Sequence, residues 1–344
     1  MKELKLALLG FGNAGRAFGK LLLEKHDEIK TKYDTDVKVV AIATGSRGNL
    51  VCNEGIDVAA AIADIEKDGK FAPERALSSL TTMEIVETVD YDVVAEMTPL
   101  NIFTGQPATD HIRGAFARKK HAITANKGPI AWHFRRLADM AKEAGVCFFY
   151  ETTVMDGTPV FNLVEHTLKF ARVTEVSGIL NSTTNFILEE MEKGCDYDDI
   201  MERGRALGFV EADPAMDIEG YDAAAKITAL LNVLMDAGIT PDMVERKGIE
   251  DITYEDIENA RAQGKIIKLV CKGARNEDGT VHASVQPTLV DRTDLLATVN
   301  STTSIVSITT DLMKKITVVE HDPEIEQTAY GVFGDLIRVL DKLA

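Results

Sequence analysis

The sequence predicts an α/β fold: a doubly wound, largely parallel sheet in the N-terminal part, followed by a second domain of mixed α+β character. Three observations lead there. Roughly the first 130 residues alternate short β-rich runs with helical stretches, and a glycine-rich turn separates the first strand from the first helix. Beyond residue 150 the alternation loosens into long helices and runs rich in Ile, Val and Thr. A chain of 344 residues also fits two domains of about 150 residues each.

The elements follow in order. Leu4 to Leu9 is a short apolar run, broken only at Lys5 and closed by Gly10, as expected for a strand buried on both faces. Phe18, Leu21 and Leu22 then recur at helical spacing. Residues 37–43 and 91–97 are a second and a third strand, 108–120 a helix, and 121–125 another strand. A helix over 132–144 leads to Val146-Cys147-Phe148-Phe149-Tyr150-Glu151, a strand-like run that opens the second domain. There the pattern predicts helices over 160–170, 186–193, 222–235 and 254–263, and strands over 265–274, 281–290 and 302–309. A last helix over 327–343 returns to the first domain, which thus takes residues 1–130 and 324–344, leaving 131–323 to the second.

Composition narrows the function. Hydrophobic residues at 45% and charged residues at 27% are ordinary for a globular chain. Lys and Arg total 38 against 55 Asp and Glu, a net charge of −17 that disfavours nucleic acid and anionic membrane as partners. No stretch approaches the roughly 18 apolar residues of a membrane span, and the N-terminal apolar run is too short for a signal peptide. The four cysteines (Cys52, Cys147, Cys195, Cys271) pair at no zinc, iron–sulfur or dithiol spacing, so a reduced, cytoplasmic protein is expected. No serine or cysteine nucleophile motif accompanies the seven histidines, which disfavours a hydrolase.

Gly10-Phe11-Gly12-Asn13-Ala14-Gly15 is a GxGxxG turn placed after a strand and opening a helix, the context in which a Rossmann-type fold binds a dinucleotide pyrophosphate. The second strand ends in Ala43-Thr44-Gly45-Ser46-Arg47-Gly48, with no carboxylate to meet an unphosphorylated ribose. Ser46 and Arg47 suit a 2′-phosphate, which favours NADP over NAD. Lys127 stands just past a strand end, on the edge where open sheets take ligands. Asp222 and Lys226 lie four residues apart on one helix, among small and apolar neighbours that mark it as buried. Glu211, Asp213, Asp217 and Glu219 crowd an irregular loop, either a solvated turn or a site for an ammonium or a metal. Asn181-Ser182-Thr183-Thr184-Asn185 reads as a helix N-cap that can equally meet ligand oxygens.

Three stretches together resemble the homoserine dehydrogenase family: residues 178–188, 206–214 and 217–226. The likeness extends to the glycine turn, Thr98-Pro99-Leu100-Asn101, Ala125-Asn126-Lys127 and Tyr150-Glu151, so it covers essentially the whole chain, in the short form without a C-terminal ACT regulatory domain. It implies the NAD(P)-dependent, reversible reduction of L-aspartate 4-semialdehyde to L-homoserine, on the route to threonine and methionine. It also implies a homodimer formed through the second domain. The family's proton-transferring lysine falls on Lys226, its partner acid on Asp222 and its active-site lysine on Lys127, with Glu211 and Thr183 as substrate contacts beside Asp222. Cofactor contacts fall on Gly10 to Gly15, Ser46, Arg47, Thr98, Pro99 and Lys127. A sodium ion of the family would fall on Glu151, Val154, Asp156 and Thr158. Three departures stand out: Ser182 where glycine is usual, Met155-Asp156 in place of small residues, and a 321–329 segment without the expected glycines. Two other readings are a paralogous NADP-dependent reductase of another semialdehyde and a catalytically silent NADP-binding sensor.

Overall fold

Strands with apolar residues on both faces need cover on both, and the N-terminal sheet obtains it from helices. The computed structural model describes residues 1–211 and 213–344; Ala212, inside the second of the family-like stretches, lies outside them. The chain divides into two compact units, Met1–Pro159 together with Glu324–Ala344, and Val160–Pro323.

The first unit runs β1 (Lys2–Leu9), α1 (Asn13–Tyr33), β2 (Thr35–Ala43), β3 (Asn49–Val51), α2 (Val58–Asp68), β4 (Leu77–Ser78), α3 (Thr82–Thr88), β5 (Val93–Glu96), α4 (Ala108–Ala117), β6 (His121–Thr124), α5 (Lys127–Ala144) and β7 (Phe148–Phe149). Its sheet has the order β4-β3-β2-β1-β5-β6-β7. The β2-β1-β5-β6-β7 portion is parallel, and β3 and β4 add antiparallel at one edge. The chain leaves β1 toward β2 and comes back on the other side at β5, so the carboxyl ends of β1 and β5 flank the point where strand order reverses.

The expected domain boundary near residue 130 falls inside α5. The run that was expected to open the second domain instead extends the first sheet, because Phe148 and Phe149 pair in parallel with Ala122 and Ile123. Only those two residues are strand; Glu151–Thr153 form a 3₁₀ turn.

The second unit runs α6 (Val160–Thr167), β8 (Val173–Ile179), α7 (Ser182–Glu192), α8 (Tyr197–Ala206), α9 (Ala215–Ile218), α10 (Tyr221–Met235), β9 (Glu245–Arg246), α11 (Tyr254–Ala262), β10 (Lys265–Arg275), β11 (Val281–Asp291), β12 (Ser304–Thr310) and β13 (Lys314–Glu320). Its sheet, β13-β12-β8-β10-β11-β9, is antiparallel apart from the β9–β11 pair. Gly178 belongs in central β8 because a Cβ there would stand 2.1 Å from the Ile305 carbonyl oxygen of β12. α10 is apolar nearly all round, with Ala223, Ala224, Ala225, Ile227, Ala229 and Leu230 all buried.

The chain then returns to the first unit as α12 (Ile325–Leu343). Ala329, Val332, Leu336, Val339 and Leu340 recur along one face and join a core with Leu6, Leu8, Phe18 and Ile42. Burying each larger side chain of that stripe contributes roughly 1.5–3 kcal/mol as an upper estimate. The glycine-poor segment before α12 serves as its start, with a reciprocal cap between Glu324 and Gln327. No helix among the described residues is long and apolar enough to cross a membrane.

One buried cation in the second unit links stability to pH. Lys268 of β10, 3% exposed, donates to Asn185 Oδ1 of α7 at 2.7 Å and to the Val299 carbonyl at 2.6 Å. Burial pulls its pKa down to about 8, against the opposing pull of Glu189 and Glu192. Between that value and the unfolded lysine value of about 10.4, the unfolded chain binds a proton that the folded chain does not, so stability rises with pH across the window. Urea unfolding midpoints should therefore climb from pH 8 to 10 in the wild type more steeply than in Lys268→Gln; parallel profiles would disprove this assignment.

Candidate functional site

In the first unit the glycine turn occupies the switch point, and its three glycines are required for three different reasons. Gly10 has a positive φ of 96°, and a Cβ there would lie 2.2 Å from the Met97 carbonyl oxygen at the end of β5. A Cβ on Gly15 would lie 2.4 Å from the Gly10 carbonyl oxygen, so this glycine lets α1 close onto the turn. At Gly12 a Cβ would meet nothing within 4 Å. Packing leaves that space open, and it faces the start of α1, which has no side-chain cap and no acidic residue in its first turn. Unopposed helix N–H dipoles beside free volume suit a phosphate.

The turn is one wall of a cleft of about 680 Å³. Around it stand Gly10, Phe11, Gly12, Asn13, Ala14, Gly15, Ser46, Arg47, Thr98 and Pro99, the expected cofactor residues apart from Lys127. Lys127 is half-buried as the first residue of α5, behind the Asn126 cap whose side chain accepts the Gly128 N–H at 3.0 Å. Among the described residues no Asp or Glu lines the cleft. Arg47 and Arg16 both donate toward the Phe11 carbonyl oxygen, at 3.5 and 3.4 Å, which sets two guanidinium groups at the turn. Thr44 holds the Arg47 loop by accepting its N–H at 2.9 Å and donating to the Gly48 carbonyl at 2.7 Å. Thr81, Thr82, Met83 and His111 also line the cleft, and sequence reading missed them. The Thr81-x-x-Glu84 capping box at the start of α3 was a legible signal for the first three.

Glu151 is buried, and its main-chain N–H donates to Asp335 Oδ2 of α12 at 2.9 Å. Full burial pushes the Asp335 carboxyl up to about 7. Val154, Asp156 and Thr158 follow in a turn where Asp156 has φ of 41° and accepts from the Thr328 hydroxyl. Among the described residues no three His, Cys, Asp or Glu side chains gather as a metal site, so an ion here would rest on Glu151 and main-chain carbonyls.

In the second unit α10 carries Lys226 one turn after Asp222, with Nζ 3.3 Å from Asp222 Oδ2. Their side chains are 19% and 14% exposed, which removes this pair from the class of loosely held surface ion pairs. Lys226 Nζ also donates to the Leu180 carbonyl at 2.7 Å. Asn181 links the elements: its Oδ1 accepts the Thr184 N–H at 2.9 Å to cap α7, and its Nδ2 donates to Asp217 at 2.6 Å and Asp222 at 3.1 Å. Burial, reinforced by the negative charge of Asp222, holds the Asp217 carboxyl above its ordinary range. The Thr183 hydroxyl donates to the Phe209 carbonyl at 2.9 Å. Glu211 is exposed, and no hydrogen bond or ion pair among the described residues joins it to this cluster. Of the acidic loop, Asp217 is therefore the carboxylate brought to Asp222, through a contact that no local spacing announces.

A glycine-loop cleft at the switch point of a parallel sheet places the chain among the dinucleotide-binding proteins of Rossmann type. Residues 10–151 match the family model "Homoserine dehydrogenase, NAD binding domain" and residues 159–337 match "Homoserine dehydrogenase". The chain belongs to the homoserine dehydrogenase family, oxidoreductases that act on a CH–OH group and interconvert L-homoserine and L-aspartate 4-semialdehyde. It is 37% identical to an NAD(+)-dependent homoserine dehydrogenase of Pseudomonas canavaninivorans, over 98% of this chain and 97% of that one. The crystal structure of a putative homoserine dehydrogenase from Archaeoglobus fulgidus matches with a TM-score of 0.86 and 30% identity, covering 98% of this chain and 99% of that one. A hyperthermophilic archaeal homoserine dehydrogenase in complex with NADPH matches with a TM-score of 0.83 and 26% identity, over 99% and 98%.

The three glycines yield a graded expectation. Gly12→Ala should fold with a melting temperature near that of the wild type yet bind NADPH more weakly, whereas Gly10→Ala should lose folded protein outright. Thermal melts alongside NADPH fluorescence titrations check both; full NADPH affinity in Gly12→Ala would remove the turn from the cofactor site.

Proposed function

We propose that the Asp222–Lys226 pair carries the proton in this reaction, and the observation behind the proposal is its geometry: a largely buried ammonium anchored 3.3 Å from one carboxylate and 2.7 Å from a carbonyl. A nicotinamide dinucleotide held by the Gly10–Gly15 turn, Ser46 and Arg47 would supply or accept the hydride. As the aldehyde carbon gains that hydride, negative charge develops on its oxygen, and Lys226 stabilises the charge and donates the proton that completes the alcohol. In the oxidative direction Lys226 takes the proton back from the homoserine hydroxyl. Asp222 orients the ammonium, while Asn181, which also donates to Asp217, donates to Asp222 and holds it in place. The Thr183 hydroxyl, already donating to Phe209, keeps oxygen lone pairs for a substrate donor, and Glu211 offers a carboxylate to the substrate ammonium. Lys127, at the head of α5, is assigned as a further catalytic lysine.

NADP is the preferred cofactor in this reading, because Ser46 and Arg47 line a cleft with no acidic residue among the described residues. The name of the Pseudomonas relative points the other way and the NADPH complex supports it. A sodium ion at Glu151 and the carbonyls of Val154, Asp156 and Thr158, a homodimer formed through the second unit and a cytoplasmic location complete the proposal.

Purified protein should reduce NADP⁺ with homoserine and oxidise NADPH with aspartate semialdehyde; folded protein inert in both directions would overturn the assignment. Lys226→Ala should lower kcat by about 10²–10⁴-fold while NADPH binding stays near that of the wild type, and an unchanged rate would reduce Lys226 to a structural role. Arg47→Ala should weaken NADPH more than NADH. Equal weakening of both would defeat the 2′-phosphate assignment.

A further inference from the structure

Glu96, the last residue of β5, is 0% exposed, and neither hydride nor proton transfer makes use of it. Its Oε1 accepts the Thr98 main-chain N–H at 3.2 Å and the Thr98 hydroxyl, with His111 Nδ1 of α4 at 3.5 Å. The Thr124 hydroxyl, at the end of β6, lies 3.2 Å from the Glu96 carbonyl and 3.4 Å from its Oε2. The connections continue outward. Thr124 Oγ1 accepts the Asn126 N–H at 3.0 Å, and Asn126 Nδ2 donates to the Thr98 carbonyl at 3.2 Å while its Oδ1 caps α5. One buried carboxylate thus joins the ends of two neighbouring strands, one helix wall and the turn that begins α5.

Packing alone does not call for an acid here, since an apolar side chain would fill a sheet end without desolvating a carboxyl group. The partners explain it. Thr98 and His111 line the dinucleotide cleft, and Asn126 precedes Lys127. We propose that Glu96 is a positioning residue for the cofactor site: it fixes Thr98 directly, and the Asn126–Lys127 turn through Thr124, so that the cleft is formed before the cofactor enters. Preorganised walls spare the ligand the entropy of ordering them. This inference rests on the reading of the cleft as the nicotinamide dinucleotide site.

The test uses the full chain and free NADPH, titrated by fluorescence without substrate, so that it does not depend on turnover. Glu96→Gln keeps the shape but turns one acceptor into a donor; it should weaken NADPH about tenfold while the KM for homoserine moves less than about twofold. Thr124→Val should weaken NADPH in the same direction, and Thr124→Ser, which keeps the hydroxyl, should retain wild-type affinity. The Glu96→Gln/Thr124→Val double variant should lose less affinity than the product of the two single effects, because the two variants share the Glu96–Thr124 contact. Unchanged NADPH affinity in Glu96→Gln, or single effects that multiply in the double variant, would overturn the proposal. Should Glu96→Gln fail to fold, the Thr124 pair decides, and equal affinity of Thr124→Val and Thr124→Ser would overturn it. Weakened NADPH binding in a protein that never turns over homoserine would still support this role while defeating the activity.

Discussion

Between the carboxyl ends of β1 and β5 the backbone leaves no room for a side chain, and the rest of the first unit is arranged around that constraint. Gly10 brings its Cα against the Met97 carbonyl, and Gly15 brings the first turn of α1 against Gly10. Two close approaches fix where the helix starts and which way it aims. They also separate steric need from vacancy, since the glycine between them, Gly12, has no neighbour to avoid. A turn built only to pack would tolerate a methyl group at that middle position. The same strand ends carry Glu96 and Thr98, so the tight closure and the polar wall of the cleft are one construction.

In the second unit the organising side chain is an amide. Asn181 caps α7 with its oxygen and binds two carboxylates with its nitrogen, so helix geometry and charge placement are set together. An amide fits because it brings donors and an acceptor without adding charge. Burial away from water, reinforced by the nearby charge of Asp222, is why the Asp217 carboxyl is held above its ordinary range. Lys226 supplies the opposing charge, and its bond to the Leu180 carbonyl ties it to the residue just before Asn181.

Much of this was legible in the sequence, and the part that was not has a physical explanation. Leu6 to Leu9 announces itself because burial on both faces leaves no polar residue in that stretch, and the Asp222–Lys226 spacing states its own geometry because a helix puts those positions on one face. Among the elements missed were β8, β13 and α8, and in the first unit α2 and α3. β8 mixes Thr, Glu and Ser into Val-Thr-Glu-Val-Ser-Gly-Ile, and β13 begins with two lysines, so neither has the unbroken apolar character of a buried strand. β7 is a strand only through pairing with β6, a long-range fact that moved the boundary from about 130 to Pro159. Asp217, Asn181 and Glu96 gain their importance from partners elsewhere in the chain. In the sequence, Glu96 is merely an acid at a strand end, a place usually open to water.

The first unit is discontinuous in the chain: its last helix, α12, comes after the whole of the second unit. During synthesis, at about 5–20 residues per second, β1 and α1 leave the ribosome well before the helix that shares their core. Leu6, Leu8 and Phe18 must wait for Val332, Leu336 and Val339, so the nucleotide unit, although first in sequence, closes its core last.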